Sequence, residues 1–193
     1  MTALLIVLAL GFRLFFREPF FLAYNSLGKA SSRQPMNVAV ITISDTVASG
    51  KRQDASGPAV VARCKDLKWT VSVTRVLPDD PAQIQALLRQ LADEDGLDLI
   101  LSTGGTGVGP RDSTPEATEA IADRLVPGMS EEMRRKGLEH TPRAILSRGV
   151  AAIRGTTLIL NLPGSPKGAV ESLDAVAALL PHSIQIIHGA RHD

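Results

Sequence analysis

A glycine-rich loop followed by an arginine–aspartate pair is the part of this 193-residue chain whose residue types could do chemistry. Glycine occupies four of the six positions from 104 to 109, and Arg111 and Asp112 follow. Glycines let backbone N–H groups turn toward an anion, and an arginine can contact a phosphate. Asp112 would repel that phosphate unless a cation such as Mg²⁺, which accepts carboxylate and phosphate oxygens together, lay between them. The loop therefore indicates a phosphorylated ligand with a metal.

The segments on either side of the loop favour the same interpretation. Residues 97–101 form a short apolar run that is typical of a buried strand. Ser113 with Glu116 fits a helix-capping box, or Thr114 caps with Pro115 at the first helical position. A helix start supplies unpaired N–H groups and a partial positive charge. A tight turn with glycines that serve only geometry remains the alternative, because the loop matches neither the Walker pattern nor the dinucleotide fingerprint.

Polar turns also follow three other predicted strands. Residues 38–43 form a β-branched strand that ends at Ser44-Asp45, and residues 69–77 form a strand that ends at Pro78-Asp79. A third strand, 156–160, continues into the turn at 161–168. Ligands of parallel sheets bind beyond the carboxyl ends of the strands, so these turns predict a pocket at one sheet edge.

The remaining patterns alternate between helix and strand. Asp80 is expected to cap a helix that has Pro81 at its first position, which leaves Asp79 as the better ligand of the two. Helices are predicted over 57–67, 81–92, 116–125, 129–138, 141–147, 169–180 and 181–188, and a further strand over 149–153. This alternation predicts an α/β protein, with three α/β/α layers around a mostly parallel sheet.

Composition narrows the classes of function. The net charge is +1 and aromatic residues make up 4% of the chain, which disfavours a nucleic-acid-binding protein. Cys64 is the single cysteine, which excludes an intrachain disulfide and a cysteine metal cluster. The four histidines are scattered without ligand spacing, and the charged residues of the helix 129–138 are interpreted as a solvated face.

The first 35 residues differ from the rest of the chain. All five phenylalanines and the only tyrosine lie there, with four basic residues against one acidic residue. The apolar run from Ala3 to Phe12 is shorter than the ~20 residues that span a bilayer, although an amphipathic anchor is an alternative. We expect residues 1–35 to be a tail, an anchor or a translation artefact with Met36 as the physiological start, and residues 36–193 to form the domain.

Several motifs occur together in one order. They are Ile43-Ser44-Asp45, Leu77-Pro78-Asp79, 102–107 with Arg111-Asp112 and 114–117, 142–148, and 161–167. With these motifs the chain resembles the MoaB/Mog family of molybdenum-cofactor biosynthesis proteins, and within it the adenylyltransferase branch. The resemblance covers residues from about Met36 to the C-terminus.

The resemblance implies a molybdopterin-binding α/β/α fold, a homotrimer, and transfer of the adenylyl group of MgATP to the terminal phosphate of molybdopterin with release of pyrophosphate. It implies that Asp79 and Asp112 are the essential aspartates, which position Mg²⁺ and the nucleotide. The other predicted substrate-binding residues are Ser44, Asp45, Thr103, Gly104, Gly105, Thr106, Gly107, Arg111, Pro163, Gly164, Ser165 and Lys167.

The expected setting is cytoplasmic, with the molybdenum-insertion protein as a downstream partner and no nucleic acid. Two alternatives stay open from the sequence, namely a molybdopterin-binding protein with little catalysis and a trimeric scaffold domain.

Overall fold

The computed structural model describes residues 36–190, and within them the chain forms one six-stranded sheet. The strands are β1 (Asn37–Ile43), β2 (Thr70–Leu77), β3 (Leu99–Thr103), β4 (Arg124–Leu125), β5 (Ala151–Arg154) and β6 (Thr157–Leu162). Their order across the sheet is β2-β1-β3-β6-β5-β4. The first four strands in that order run parallel, and β5 is antiparallel to both of its neighbours. The predicted mostly parallel sheet is therefore confirmed.

The central strands are apolar because helices cover both of their faces. Every residue of β3 and β6 is buried, whereas the edge strand β2 alternates between half-buried and exposed residues over most of its length. Leu99 lies opposite Val38 of β1 on one side and opposite Leu158 of β6 on the other. Near-continuous apolar runs are what a parallel strand needs when neither face meets water.

The helices are α1 (Asp45–Ala48), α2 (Ser56–Asp66), α3 (Pro81–Asp93), α4 (Thr114–Glu119), α5 (Pro127–Leu138), α6 (Pro166–Val176) and α7 (Leu180–Ile187), with a 3₁₀ helix at Pro142–Leu146. They divide the apolar residues into two cores. Leu99 and Leu101 pack in a core with residues of α2, α5, α6 and α7, while Ile100 packs in a second core with residues of α3 and α4. Side chains alternate between the faces of a strand, so the two cores give the predicted three layers.

Local signals set most helix starts. The Asp80 carboxylate accepts hydrogen bonds from the amides of Ala82 and Gln83 at 2.9 and 3.1 Å, and Pro81 opens α3. This confirms the predicted cap. Thr141 caps the 3₁₀ helix in the same way, and Ser165 caps α6.

Two local predictions were wrong, one helix begins earlier than predicted, and one short helix was missed. The helix expected over 116–125 begins at Thr114 and ends at Glu119, and residues 124–125 form β4 instead, because they pair with β5. The capping box is absent, since the Ser113 hydroxyl makes no cap bond and Glu116 pairs with Arg148. Helix α5 begins at Pro127, two residues before the predicted start at 129, and the short helix α1 was not predicted.

None of the described helices is by itself long and apolar enough to cross a membrane. The pair α6 and α7, bent by 63°, meets the length and composition together. Leu173 of α6 and Leu180 of α7 are fully buried within the first core. The expectations for residues 1–35 fall outside the described residues and stay predictions.

Candidate active site

A cavity of about 380 Å³ opens at the carboxyl ends of β3 and β6. Five segments form its wall: the glycine loop after β3, the turn after β6, helices α5 and α6, and the 3₁₀ helix. The described lining residues include Gly105, Thr106, Gly107, Asp112, Met133, Arg134, Arg143, Asn161, Pro163, Gly164, Ser165 and Glu171. The turns after β3 and β6 form a cavity at this sheet edge as predicted, but the turns after β1 and β2 do not, because Ser44, Asp45, Pro78 and Asp79 are not among its lining residues.

The glycine loop has three amides that donate no hydrogen bond within the described residues. Gly104 and Gly105 have φ angles of +106° and +61°, and a Cβ at Gly104 would overlap the carbonyl oxygen of Ile43. Only glycine fits this backbone without strain. The amide of Gly104 donates to the carbonyl of Leu162 at 3.2 Å and is not available to a ligand. Within residues 36–190, the amides of Gly105, Thr106 and Gly107 donate to no group, so they can bind an anion.

Asp112 is held against this loop. Its Oδ2 accepts the amide of Gly109 at 2.8 Å and lies 2.8 Å from where a Cβ of Gly107 would stand. Asp112 Oδ1 accepts no hydrogen bond from the described part of the chain. One oxygen is thus used to fix the carboxylate, and the other is open to a ligand.

Arg148 fixes the shape of the loop. Its Nε donates to the carbonyl of Gly107 at 2.6 Å and its Nη2 to the carbonyl of Asp112 at 2.7 Å, while Nη1 pairs with Glu116. The hydrogen bond from Arg148 lowers the pKa of Glu116 below its ordinary value. Arg148 stood in one of the sequence motifs without a role, and its contacts span 41 residues along the chain to Gly107.

Asp79 and Asp45 fix each other through a reciprocal pair of hydrogen bonds beside the cavity, although neither residue lines it. The amide of Asp45 donates to Asp79 Oδ2 at 2.8 Å, and the amide of Asp79 donates to Asp45 Oδ1 at 3.0 Å. Arg111 then donates to both oxygens of Asp45 at 2.9 to 3.1 Å. The hydrogen bond from the Asp79 amide, followed by that from Arg111, lowers the pKa of Asp45. Arg111 is therefore engaged by Asp45 rather than directed at the cavity.

The two predicted essential carboxylates approach the same glycine loop at different residues. Asp79 Oδ1 would lie 3.0 Å from a Cβ at Gly105, and Asp112 Oδ2 would lie 2.8 Å from a Cβ at Gly107. The Cα atoms of Gly105 and Gly107 are within about 7 Å of each other in any conformation. In the described residues no group of three or more His, Cys, Asp or Glu side chains could hold a metal alone. Two carboxylates completed by substrate phosphates fit the way Mg²⁺ is usually bound.

Other predicted site residues form hydrogen bonds that stabilise the local structure. Thr103 is buried and donates to the carbonyl of Pro163 at 2.7 Å, which ties the two turns together. The Ser44 hydroxyl caps α1 and accepts a hydrogen bond from Arg52. Ser165 lines the cavity while accepting the Gly168 amide at 3.2 Å.

The residues around the second turn divide between the cavity and the surface. Gly164 approaches the glycine loop, because a Cβ there would lie 3.3 Å from the Cα of Gly104. The Lys167 side chain is 82% exposed and is not among the residues that line the cavity. The structure thus brings Gly164, but not the ammonium group of Lys167, to the glycine loop.

The charged residues of helix α5 do not all lie on a solvated face, although their pattern predicted that they would. Arg135 pairs with Glu132 and Glu139 on the exposed side, as expected. Arg134 instead lines the cavity, where its Nη1 donates to the carbonyl of Gly149 at 3.1 Å. A run of mixed charges does not reveal which member points inward, so Arg134 was missed.

Comparisons with known proteins identify the family of this chain. Residues 39–182 match the family model described as "Probable molybdopterin binding domain". The chain belongs to this family. The family resemblance deduced from the motifs is therefore confirmed.

Other proteins of the molybdopterin-binding family share most of this chain. A molybdopterin adenylyltransferase of Escherichia coli K12 is 40% identical over 174 residues, which cover 80% of this chain and 86% of that protein. The crystal structure of the molybdopterin biosynthesis enzyme MoaB from Thermus thermophilus is 50% identical, with a TM-score of 0.76 and coverage of 82% and 99%. The Mog protein of Mycobacterium ulcerans is 35% identical, with a TM-score of 0.75 and coverage of 82% and 100%. These structures confirm the α/β fold of the MoaB/Mog type.

Proposed function

We propose that this protein is a molybdopterin adenylyltransferase of molybdenum-cofactor biosynthesis. A terminal phosphate oxygen of molybdopterin attacks the α-phosphorus of ATP, the bond to the bridging oxygen breaks, and pyrophosphate leaves. The observation that carries the proposal is the approach of Asp79 and Asp112 to one glycine loop, which has three amides without a partner in the described residues and lines a cavity. The names and similarity of the relatives support the same reaction.

The proposed reaction needs positioning and charge neutralisation more than a protein nucleophile. A phosphate monoester has a second pKa of about 6, so at neutral pH the attacking oxygen is largely deprotonated before it binds. Two anionic substrates repel each other, and the amides of Gly105, Thr106 and Gly107 would offset part of that charge. This accounts for a site in which no residue is asked to form a covalent intermediate.

Asp79 and Asp112 would hold Mg²⁺ together with the substrate phosphates. When bound, the metal ion supplies neutralisation of the negative charge between the two substrates. The protein's part is to keep both carboxylates in place. Asp79 is kept there by the amide of Asp45, and Asp112 by the amide of Gly109.

The assembly and the setting belong to the proposal as well. We infer a homotrimer in the cytoplasm that passes its product to the molybdenum-insertion protein. Exposed apolar side chains at Leu138, Ile145 and Leu146 support an oligomer, since a contact between subunits would cover them. Light scattering after gel filtration should give three times the mass of one chain, and a monomer at micromolar concentration would contradict the trimer.

Replacing each essential carboxylate by its amide tests the function. Asp79→Asn and Asp112→Asn should each lower kcat by about 100-fold or more. Without the carboxylate the site would hold Mg²⁺ poorly, and the negative charge of the phosphates in the transition state would not be neutralised. Binding of molybdopterin without ATP should stay within a few-fold of the unmodified chain. Pyrophosphate release and adenylyl-molybdopterin formation are the measurements, with Mg²⁺ and with a chelator.

Asp174→Asn is the matched control, because Asp174 pairs with Arg63 and is not a lining residue of the cavity. It should leave turnover unchanged. Unaltered adenylylation by Asp112→Asn would refute the role of the carboxylate. Tight binding of molybdopterin with no ATP-dependent pyrophosphate release would favour the second candidate, a binding protein with little catalysis, which the similarity to a MoaB structure also supports.

A further inference from the structure

We infer that Glu171 recognises the amino edge of the pterin ring and so determines which heterocycle the cavity accepts. This inference rests on the proposed function, which places a molybdopterin in the cavity. It assigns a specificity role to a residue that none of the motifs singled out.

The cavity contains two carboxylates at different places in its wall. Among its described lining residues the only acidic side chains are Asp112, at the glycine loop, and Glu171, on α6. Asp112 belongs to the phosphate-binding part of the site. Glu171 lies six residues beyond the capping Ser165, which corresponds to about 9 Å along the axis of α6. The second carboxylate is therefore well removed from the turn at which phosphate would bind.

The partners of Glu171 do not explain why a carboxylate is placed there. Its side chain is only 22% exposed, yet neither oxygen accepts a hydrogen bond from any described residue. Its nearest charged neighbours are Nδ1 of His140 at 3.5 Å and Nζ of Lys167 at 3.7 Å. Both neighbours are largely exposed, and loose ion pairs of that kind contribute little to stability. A half-buried carboxylate that lines a cavity, and whose partners in the described residues are two long ion pairs to the same oxygen, is available to a ligand.

A pterin offers the matching donors. Its ring carries an amino group at position 2 next to an N–H at position 3, which form a planar pair of adjacent donors. A carboxylate accepts two parallel N–H bonds from such a pair, in the same way as it does from an arginine. The surrounding wall suits a flat ring, since Gly137 and the buried side chains of Ser130 and Met133 line the cavity.

The two ends of the substrate then meet chemically different groups. The phosphate faces the amides of residues 105–107, and the amino edge of the ring faces Glu171. In the reversed orientation the phosphate would meet the Glu171 carboxylate, and the two negative charges would repel each other. The separation of Asp112 and Glu171 thus fixes one orientation for the ligand.

The test uses the full chain and equilibrium binding in the absence of ATP. Glu171→Gln keeps the shape of the side chain but removes its charge and one acceptor, and it should weaken molybdopterin binding by about 10- to 100-fold. The KM for ATP and the kcat at saturating molybdopterin should stay within a few-fold. Glu139→Gln is the matched control, because Glu139 pairs with Lys136 on the surface and should leave all three values unchanged.

Two simple competitors separate recognition from a general disturbance of the cavity. Pterin carries the 2-amino group, and lumazine carries an oxygen in its place. The unmodified chain should bind pterin at least 10-fold more tightly than lumazine, and Glu171→Gln should lose that preference. Equal weakening of both competitors, or unchanged binding of molybdopterin by Glu171→Gln, would overturn the inference.

The proposed function can fail independently. A chain that binds molybdopterin with the predicted dependence on Glu171 but releases no pyrophosphate would refute the transferase and keep this inference. A chain that binds no molybdopterin would refute both.

Discussion

Asp45 connects the two aspartate-bearing turns, although the cavity itself is lined by other residues. Its amide holds Asp79 on one side, and its carboxylate holds Arg111 on the other. Arg111 stands next to Asp112 in sequence, so the ion pair links the end of β1 to the glycine loop. At the scale of single residues, Asp45 thus acts as a positioning group for Asp79, which differs from its predicted role as a substrate-binding residue.

The titration of Asp45 should reveal this arrangement. The Asp79 amide and Arg111 both favour the charged form, so the pKa of Asp45 should lie below its ordinary value of 3.8. The ionised Asp45 carboxylate stabilises the folded site fully above pH 3.8. This stabilisation is lost as the pH falls through the lowered pKa. NMR titration of the carboxyl carbon is the measurement, and Arg111→Gln should move the midpoint back toward 3.8. An unmodified chain that titrates at 3.8 would contradict the link.

The element that carries the chemistry takes its shape from its neighbours. The glycine loop is anchored by Leu162 at the end of β6, by Thr114 at the start of α4, and by Arg148 before β5. Arg148 reaches the loop by both a main-chain bond to Thr106 and two side-chain bonds to carbonyls. Arg148 thus fixes three carbonyl groups between Thr106 and Asp112, which restricts the conformation of the loop that lines the cavity.

Removing the Arg148 side chain should therefore impair catalysis through the position of Asp112. Arg148→Ala should lower kcat by about 10- to 100-fold, since small displacements of a reacting group are costly. It should also lower the free energy of unfolding by about 2 kcal/mol, because two carbonyls lose a charged donor. Arg148→Lys should rescue the site only in part, since an ammonium group cannot reproduce the planar fork.

The control for this prediction is Arg135→Ala, which removes an arginine from an exposed ion pair on α5. It should leave both kcat and stability nearly unchanged. Full activity of Arg148→Ala would mean that the loop holds its shape without the arginine. Urea unfolding and the pyrophosphate assay supply the two readouts.

At the scale of the whole molecule, the sheet separates two cores and Asn161 bridges its layers. The side-chain Nδ2 of Asn161 donates to the hydroxyl of Ser102 on β3 at 2.9 Å and to the hydroxyl of Thr118 on α4 at 3.0 Å. Its Oδ1 accepts the amide of Val150. A buried asparagine with three partners from three segments holds the second turn in register with the glycine loop.

The thiol of Cys64 can be used to test whether the first core is packed as described. It is fully buried in α2, and burial raises the pKa of the thiol from 9.0 to about 11. Since the unfolded chain loses this proton first, the stabilising effect of the buried thiol is complete below pH 9 and fades as the pH rises to 11. The difference in unfolding free energy between the unmodified chain and Cys64→Ala should shrink by about 2 kcal/mol over that interval. Urea unfolding between about pH 8 and pH 11 measures it, and a constant difference would contradict the burial of Cys64.

Much of the architecture could be predicted because its causes are local. The apolar runs of β1, β3 and β6 predicted covered strands, and Asp80-Pro81 predicted the start of α3, since a cap and a periodicity involve residues only a few positions apart. The glycine loop with Arg111 and Asp112 indicated an anion site for the same reason. The family followed from several such motifs in one order.

Other features depended on contacts between distant segments. Residues 124–125 form a strand because they pair with β5. The Glu116 side chain forms an ion pair with Arg148 instead of the predicted capping box with Ser113. Arg134 and Glu171 both line the cavity. Their positions there depend on how α5 and α6 pack against the rest of the domain. Sequence by itself thus determined the residue types available for chemistry and the elements that carry them. Tertiary structure decided which of them face one another, because the contacts that make this choice join residues tens of positions apart.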